Sequence, residues 1–186
     1  MKILTAILFF CLPIFCQAQF SLTSSGFVSA SDASQTYVVF DAPGTNQQEL
    51  YKKALIYLSG LYTSPKDAIS PIDGEAITVN GFAKDAVKMK VLYLNPSWDI
   101  NYTLSFQFKD GKMRVMQPSF NQIRTRTGDI YRTASILPNA GQNNKEIYNR
   151  KGELKDPAAK AALETFINNF INVSIQAINK PSDNNW

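Results

Sequence analysis

Histidine is absent from this chain of 186 residues, and its two cysteines, Cys11 and Cys16, both fall within the first eighteen positions. Those eighteen residues read as a signal peptide, with Lys2 as the charged start, Ile3 to Phe15 as the apolar stretch and Cys16-Gln17-Ala18 as the small-residue cleavage site. The apolar run is too short to span a bilayer, and Phe15 is too bulky for the small residue that precedes a lipid-modified cysteine. Cleavage near Gln19 leaves a mature chain with neither thiol nor imidazole and no transmembrane segment. That excludes disulfide staples, thiolate or imidazole metal sites, Ser-His and Cys-His nucleophiles and a histidine proton shuttle. The expected location is exported, either periplasm or cell surface. There, without disulfides, the hydrophobic core alone must hold the fold, and the remaining chain is long enough for one domain.

Charge is also sparse, at 18% of residues with a formal net of +4 that includes Lys2. Seven basic residues against four acidic ones fall between Asn121 and Asp156. A modest excess of this kind is a solvated surface, and nucleic acid is not expected as a partner.

What the chain has in plenty is period-2 alternation. Ile100, Tyr102, Leu104, Phe106 and Phe108 alternate with Asn101, Thr103, Ser105, Gln107 and Lys109, a strand with one buried and one wet face. Asp110-Gly111 supplies the positive-φ residues of a two-residue turn. The return strand then pairs Phe108 with Met113, Phe106 with Val115 and Gln107 with Arg114. Pro118 and a slipped apolar parity predict a bulge or strand end near Gln117.

Residues 19–36, rich in Ser, Ala, Gly and Thr, read as a flexible lead-in. A single domain over 37–180 begins with a strand at Tyr37 to Phe40. Thr45, three residues before Gln48, has capping spacing. The helix it starts runs to about Leu61 and buries Leu50, Ala54, Tyr57, Leu58 and Leu61, with Tyr51, Tyr57 and Tyr62 read as core or rim. Ile69–Ile72 and Ala76–Val79 form a hairpin around Asp73-Gly74. Gly81 marks a bulge or a close backbone contact. A separate strand follows Lys84-Asp85, with Val87, Met89, Val91 and Tyr93 on one face and Lys88, Lys90, Leu92 and Leu94 on the other. Residues 121–156 form a long polar insertion that is disordered, or hides short elements, or is a functional loop. Asp156-Pro157 opens the last helix, whose stripe is Ala159, Leu163, Phe166, Ile167, Phe170, Val173, Ala177 and Ile178. A polar tail occupies 181–186.

The predicted fold class is α+β, a curled antiparallel sheet with two helices on one face. Thr45-Asn46-Gln47-Gln48-Glu49-Leu50-Tyr51, Lys66-Asp67-Ala68-Ile69, Asp73-Gly74-Glu75-Ala76-Ile77 with Asn80-Gly81, and Phe108-Lys109-Asp110-Gly111-Lys112-Met113-Arg114 occur in that order. Together they resemble DUF4468, an exported domain with a TBP-like fold common in Bacteroidetes. The resemblance covers about Thr36 to Asn121 and, in outline, the last helix. It implies a β-α-β4-α arrangement and export, and carries no catalytic residue to transfer.

Three functions compete. The first is a non-enzymatic binding or assembly module of the cell envelope. Its wet sheet face would present Lys88, Lys90, Asn101, Thr103, Ser105, Gln107 and Arg114, with Thr78 and Asn80, to an envelope protein or a small anionic or glycan ligand. Leu92, Leu94 and Trp98 would border it. The plain counterpart is that a sheet covered on one side needs a polar other side. The second is a carboxylate-dependent hydrolase of glycans using Asp73 and Glu75, with Asp85 nearby, although those residues already serve as turns. The third, nucleic-acid binding by fold analogy, is opposed by export and weak charge. No metal site and no cofactor is implied, and pairing of two copies through the sheet face or an edge strand stays open.

Overall fold

The computed structural model describes residues 19–137 and 144–180. The expected signal peptide at 1–18 and the expected tail at 181–186 therefore lie outside the described residues. Two short strands, β1 (Phe20–Thr23) and β2 (Gly26–Ser29), pair with each other ahead of β3 (Tyr37–Asp41). Helix α1 (Gln47–Gly60) and one helical turn, α2 (Pro65–Ala68), lead into the strands β4 (Ile69–Ile72), β5 (Ala76–Lys88), β6 (Ser97–Lys109) and β7 (Lys112–Met116). Three further strands, β8 (Ser119–Thr127), β9 (Ile130–Ser135) and β10 (Asn144–Glu146), precede α3 (Pro157–Asn179).

The strand β6 organises the sheet. One of its edges pairs with β5 along nearly its whole length, and the other is shared, β7 taking Phe106–Lys109 and β8 taking Asp99–Thr103. The sheet therefore divides beyond β6 into a β7–β3 wing and a β8–β9–β10 wing. The division falls at Gln117-Pro118, where the proline has no N–H to give a ladder and the Gln117 N–H donates instead to the Thr36 carbonyl at 2.7 Å. Phe108 pairs with Met113, Gln107 with Arg114 and Phe106 with Val115, as the alternation predicts.

Only Gly111, at φ 69°, takes a positive φ in that turn, whereas both turn residues were expected to. The Asp110 carboxylate has another task. Its Oδ1 accepts the Gln47 backbone N–H at 2.8 Å, at the first residue of α1, where carboxylates favourably meet unpaired amide donors.

Both long helices cover one sheet face. Leu50, Tyr51, Ala54 and Leu58 of α1, and Leu163, Ile167, Ile171 and Ile178 of α3, are buried against Ile77, Val79, Trp98, Ile100, Leu104 and Phe106. The cap of α1 is Asn46, not Thr45: its Oδ1 accepts the Glu49 N–H at 2.9 Å. Leu61, expected inside, is 45% exposed just past the helix end. In α3 the expected start holds, with the Asp156 carboxylate accepting the Ala159 N–H at 2.8 Å. Val173, also expected inside, is exposed because Ile171, Ser174 and Ile175 occupy the buried line.

Three expectations need correction. Residues 20–29 are no lead-in: Phe20, Leu22 and Phe27 are fully buried, each contributing about 1.5–3 kcal/mol of apolar burial. Asn168 of α3 grips the same hairpin, its Oδ1 accepting the Phe20 N–H at 2.9 Å and its Nδ2 donating to the Phe20 carbonyl at 2.9 Å. Next, no separate strand follows Asp85. The strand β5 runs on to Lys88 through an irregularity between Ala83 and Val87, where Asp85 sits at φ 51°. Gly81 is the close contact, since a side chain there would overlap the Tyr102 ring.

Last, of the readings for 121–156, hidden short elements are present: β8 and β9 form a hairpin, and β10 joins β9 in parallel. The sheet is thus mixed rather than wholly antiparallel. Residues 138–143 lie outside the described part. The expected β-α-β4-α frame is β3, α1, β4 to β7 and α3, and the fold class is α+β. No helix among the described residues is long and apolar enough to cross a membrane.

Candidate functional site

Strict alternation along β6 decides which side chains the helices leave uncovered. Trp98, Ile100, Tyr102, Leu104, Phe106 and Phe108 turn inward, which exposes Asp99, Asn101, Thr103, Ser105 and Gln107 on the open face. Register extends that face sideways: Thr78 lies opposite Ser105, Asn80 opposite Thr103, and Gln122 opposite Asn101. These side chains bond one another. Thr78 Oγ1 and Ser105 Oγ lie 2.8 Å apart, Thr103 Oγ1 donates to Asn80 Oδ1 at 2.9 Å, and Asn121 Nδ2 donates to Thr103 Oγ1 at 2.8 Å. Asn101 Nδ2 donates to Gln122 Oε1 at 3.1 Å. The centre of the open face is therefore a hydrogen-bonded ladder of the kind that stabilises any half-wet sheet.

The seven residues singled out from the sequence do not form one site. Lys88 pairs with Ser97 at one end of β6, and Arg114 with Gln107 near the other. Ten residues of strand separate the two rungs, roughly 30 Å at the usual rise. Lys90 lies past the last rung beside Lys88, and its carbonyl accepts Lys145 Nζ at 2.7 Å. Trp98 forms no border, being fully buried with its indole N–H donating to the Met89 carbonyl at 3.0 Å.

What does gather is the Arg114 end. Val39, Gln107, Phe108, Lys109, Lys112 and Arg114 line an open cleft of about 420 Å³. The hairpin delivers Gln107, Lys109, Lys112 and Arg114, and the pairing of β3 with β7 places Val39 opposite Arg114 as an apolar wall. Arg114 is held over the Tyr37 ring, its guanidinium carbon 4.6 Å from the centroid, and Lys112 Nζ is 3.8 Å from Asp41 Oδ1. Three cations thus line one cleft with one carboxylate at its rim, an arrangement whose local charge is positive. Lys109 and Lys112 escaped the sequence reading because alternation ranks hairpin ends as turn flanks. Their shared register across Asp110-Gly111 is the signal that finds them.

The carboxylates do not assemble for catalysis. Asp73 and Glu75 are exposed in the β4–β5 turn, and Asp85 lies at the far end of β5, its N–H donating to Asp99 Oδ1 at 2.9 Å. Among the described residues no three side chains able to ligate a metal come together. A partly buried polar pair lies under the sheet instead, where the Tyr62 and Tyr102 hydroxyls are 2.9 Å apart. Burial raises both phenol pKa values above their ordinary 10.0. The Tyr102 ring is covered by Gly81, Phe166 and Phe170, while Tyr62 is half-buried.

Comparison with known proteins places this arrangement. A TBP-like protein from Parabacteroides distasonis superposes with a TM-score of 0.56 at 15% identity, covering 78% of this chain and 92% of that one. A DUF4468 family protein from Bacteroides ovatus gives 0.46 at 15% identity, covering 81% and 88%. No curated protein matches the chain. The first likeness is one of fold. The sequence model described as a domain of unknown function (DUF4468) with TBP-like fold matches residues 37–122, which span β3, α1 and the strands that build the cleft. Over those residues, 37–122, the chain is similar to the DUF4468 family, and its fold is TBP-like.

Proposed function

We propose that the protein is an exported, non-enzymatic binding module whose open sheet face receives a small anionic ligand, most suitably an acidic sugar. The observation that carries this reading is the cleft where Lys109, Lys112 and Arg114 converge on Gln107 beside the apolar Val39. Arginine and lysine supply charge and directional donors to a carboxylate, and the Gln107 amide can donate to or accept from a neighbouring hydroxyl. The leader read in residues 1–18 supports export to the periplasm or cell surface, where acidic glycans are reached.

A uronic-acid oligosaccharide titrated into the protein by calorimetry tests the idea. The native protein should bind, more weakly as salt rises, while K109Q/K112Q/R114Q should lose at least tenfold in affinity with folding intact. Absence of binding by the native protein, or equal binding by the triple variant, would sink the proposal.

A further inference from the structure

At the opposite end of the open face the chain makes a second feature that the cleft does not use. The ladder between β5 and β6 stops at Lys88 and Ser97, and residues 89–96 project beyond it. Val91 and Leu94 exchange backbone hydrogen bonds at 2.9 and 3.0 Å, which leaves Leu92 and Tyr93 as the two residues of a tight turn. Such tips normally carry Asn-Gly or Asp-Gly. Here Leu92 is 72% and Tyr93 86% exposed, with Leu94 at 43%. Leu92 also holds φ 55°, a left-handed conformation that a leucine seldom adopts.

The stem keeps the tip out. Met89 is buried, its carbonyl takes the Trp98 indole N–H, and the Lys90 carbonyl takes Lys145 Nζ. The charges around it are unequal. Lys84, Lys88 and Lys90 are exposed, against the exposed Asp85; Asp99 lies 3.9 Å from Arg124, Lys145 pairs with Asp156, and Lys155 pairs with Glu146. A braced apolar tip with a tyrosine at its centre and lysines on its stem matches a lipid surface: aromatic ring at the interface, leucines in the acyl boundary, ammonium groups on headgroup phosphates.

We infer that the 89–96 turn is a membrane-contact element that seats Leu92, Tyr93 and Leu94 in the interface of an anionic bilayer. This does not depend on the cleft. The exported protein, purified, is cosedimented with phosphatidylcholine vesicles with and without phosphatidylglycerol. It should pellet with the anionic vesicles and much less with the neutral ones.

Leu92→Gly with Tyr93→Ser, in which glycine suits the turn, should weaken partitioning roughly tenfold or more. K88Q/K90Q, which leaves the apolar tip untouched, should weaken it by a similar factor, since each lysine near an anionic surface is worth about fivefold. Failure of the native protein to pellet would overturn the inference and leave the tip to a protein groove. Native-like binding by the glycine-serine variant would overturn it as well, by showing adsorption through charge alone.

Discussion

Gly81 shows how one missing side chain shapes the core. A β-carbon there would collide with the Tyr102 ring, whose hydroxyl meets that of Tyr62. Gly81→Ala should therefore cost about 1–3 kcal/mol through overpacking, measured as a lower urea midpoint at an unchanged slope. Asp156 makes a residue-scale prediction about pH. Burial alone would push its carboxyl up, but Lys145 and the Ala159 N–H hold it below its ordinary 3.8. A carboxyl depressed on folding adds stability above its unfolded value and loses it as pH falls through the folded one. Asp156→Asn keeps a capping oxygen but not the charge. Its deficit against the native protein should be largest near neutral pH and shrink below about pH 4, read from urea midpoints across that range. A gap that stays constant with pH would show that the charge contributes nothing.

At the scale of elements, side chains rather than ladders join the β1–β2 hairpin to the domain. Asn168 on α3 accepts N–H bonds from Gln19 and Phe20 and donates to the Phe20 carbonyl, while Glu164 accepts the Leu22 N–H at 2.6 Å. Asn168→Ala would leave buried backbone groups without partners, costing roughly 2–4 kcal/mol. Amide exchange at Phe20 and Leu22 should accelerate well before that of Leu104 and Phe106 in β6. Equal acceleration throughout would mean that the hairpin opens only with the whole fold. Both Asp-Gly turns also brace the start of α1, since Gln47 bonds Asp110 through its N–H and the Gly74 carbonyl through its side-chain amide. The family-matching segments at 45–51, 73–77 and 108–114 are thus neighbours in space.

For the whole molecule, the curl of the sheet sets the cleft at one end of β6 and the Leu92–Tyr93 turn at the other. Sites so far apart with no shared partners should behave additively. K109Q/K112Q/R114Q should leave vesicle binding unchanged, and the Leu92→Gly, Tyr93→Ser variant should leave oligosaccharide affinity unchanged. Calorimetry and cosedimentation on both variants check this, and a cross-effect in either direction would show one continuous surface.

The sequence by itself determined what depends on neighbours along the chain. The alternation of Ile100 to Phe108, the pairing of Gln107 with Arg114, the Asp156 cap and the buried line from Leu163 to Ile178 were legible because strand and helix periods are local. Phe20, Leu22 and Phe27 carried a readable alternation too, but four-residue strands are too short to stand out from a Ser-rich background. In β8 the inward positions include Thr125, whose hydroxyl donates to the Ser97 carbonyl at 2.5 Å, so no apolar period marked that strand. Only the tertiary structure decided that β3 lies beside β7, which turns Val39 and the hairpin lysines into a cleft, and that Lys88 and Arg114, on β5 and β7, stand beside opposite ends of β6. Those outcomes rest on contacts between residues far apart in sequence, whose register no local period specifies.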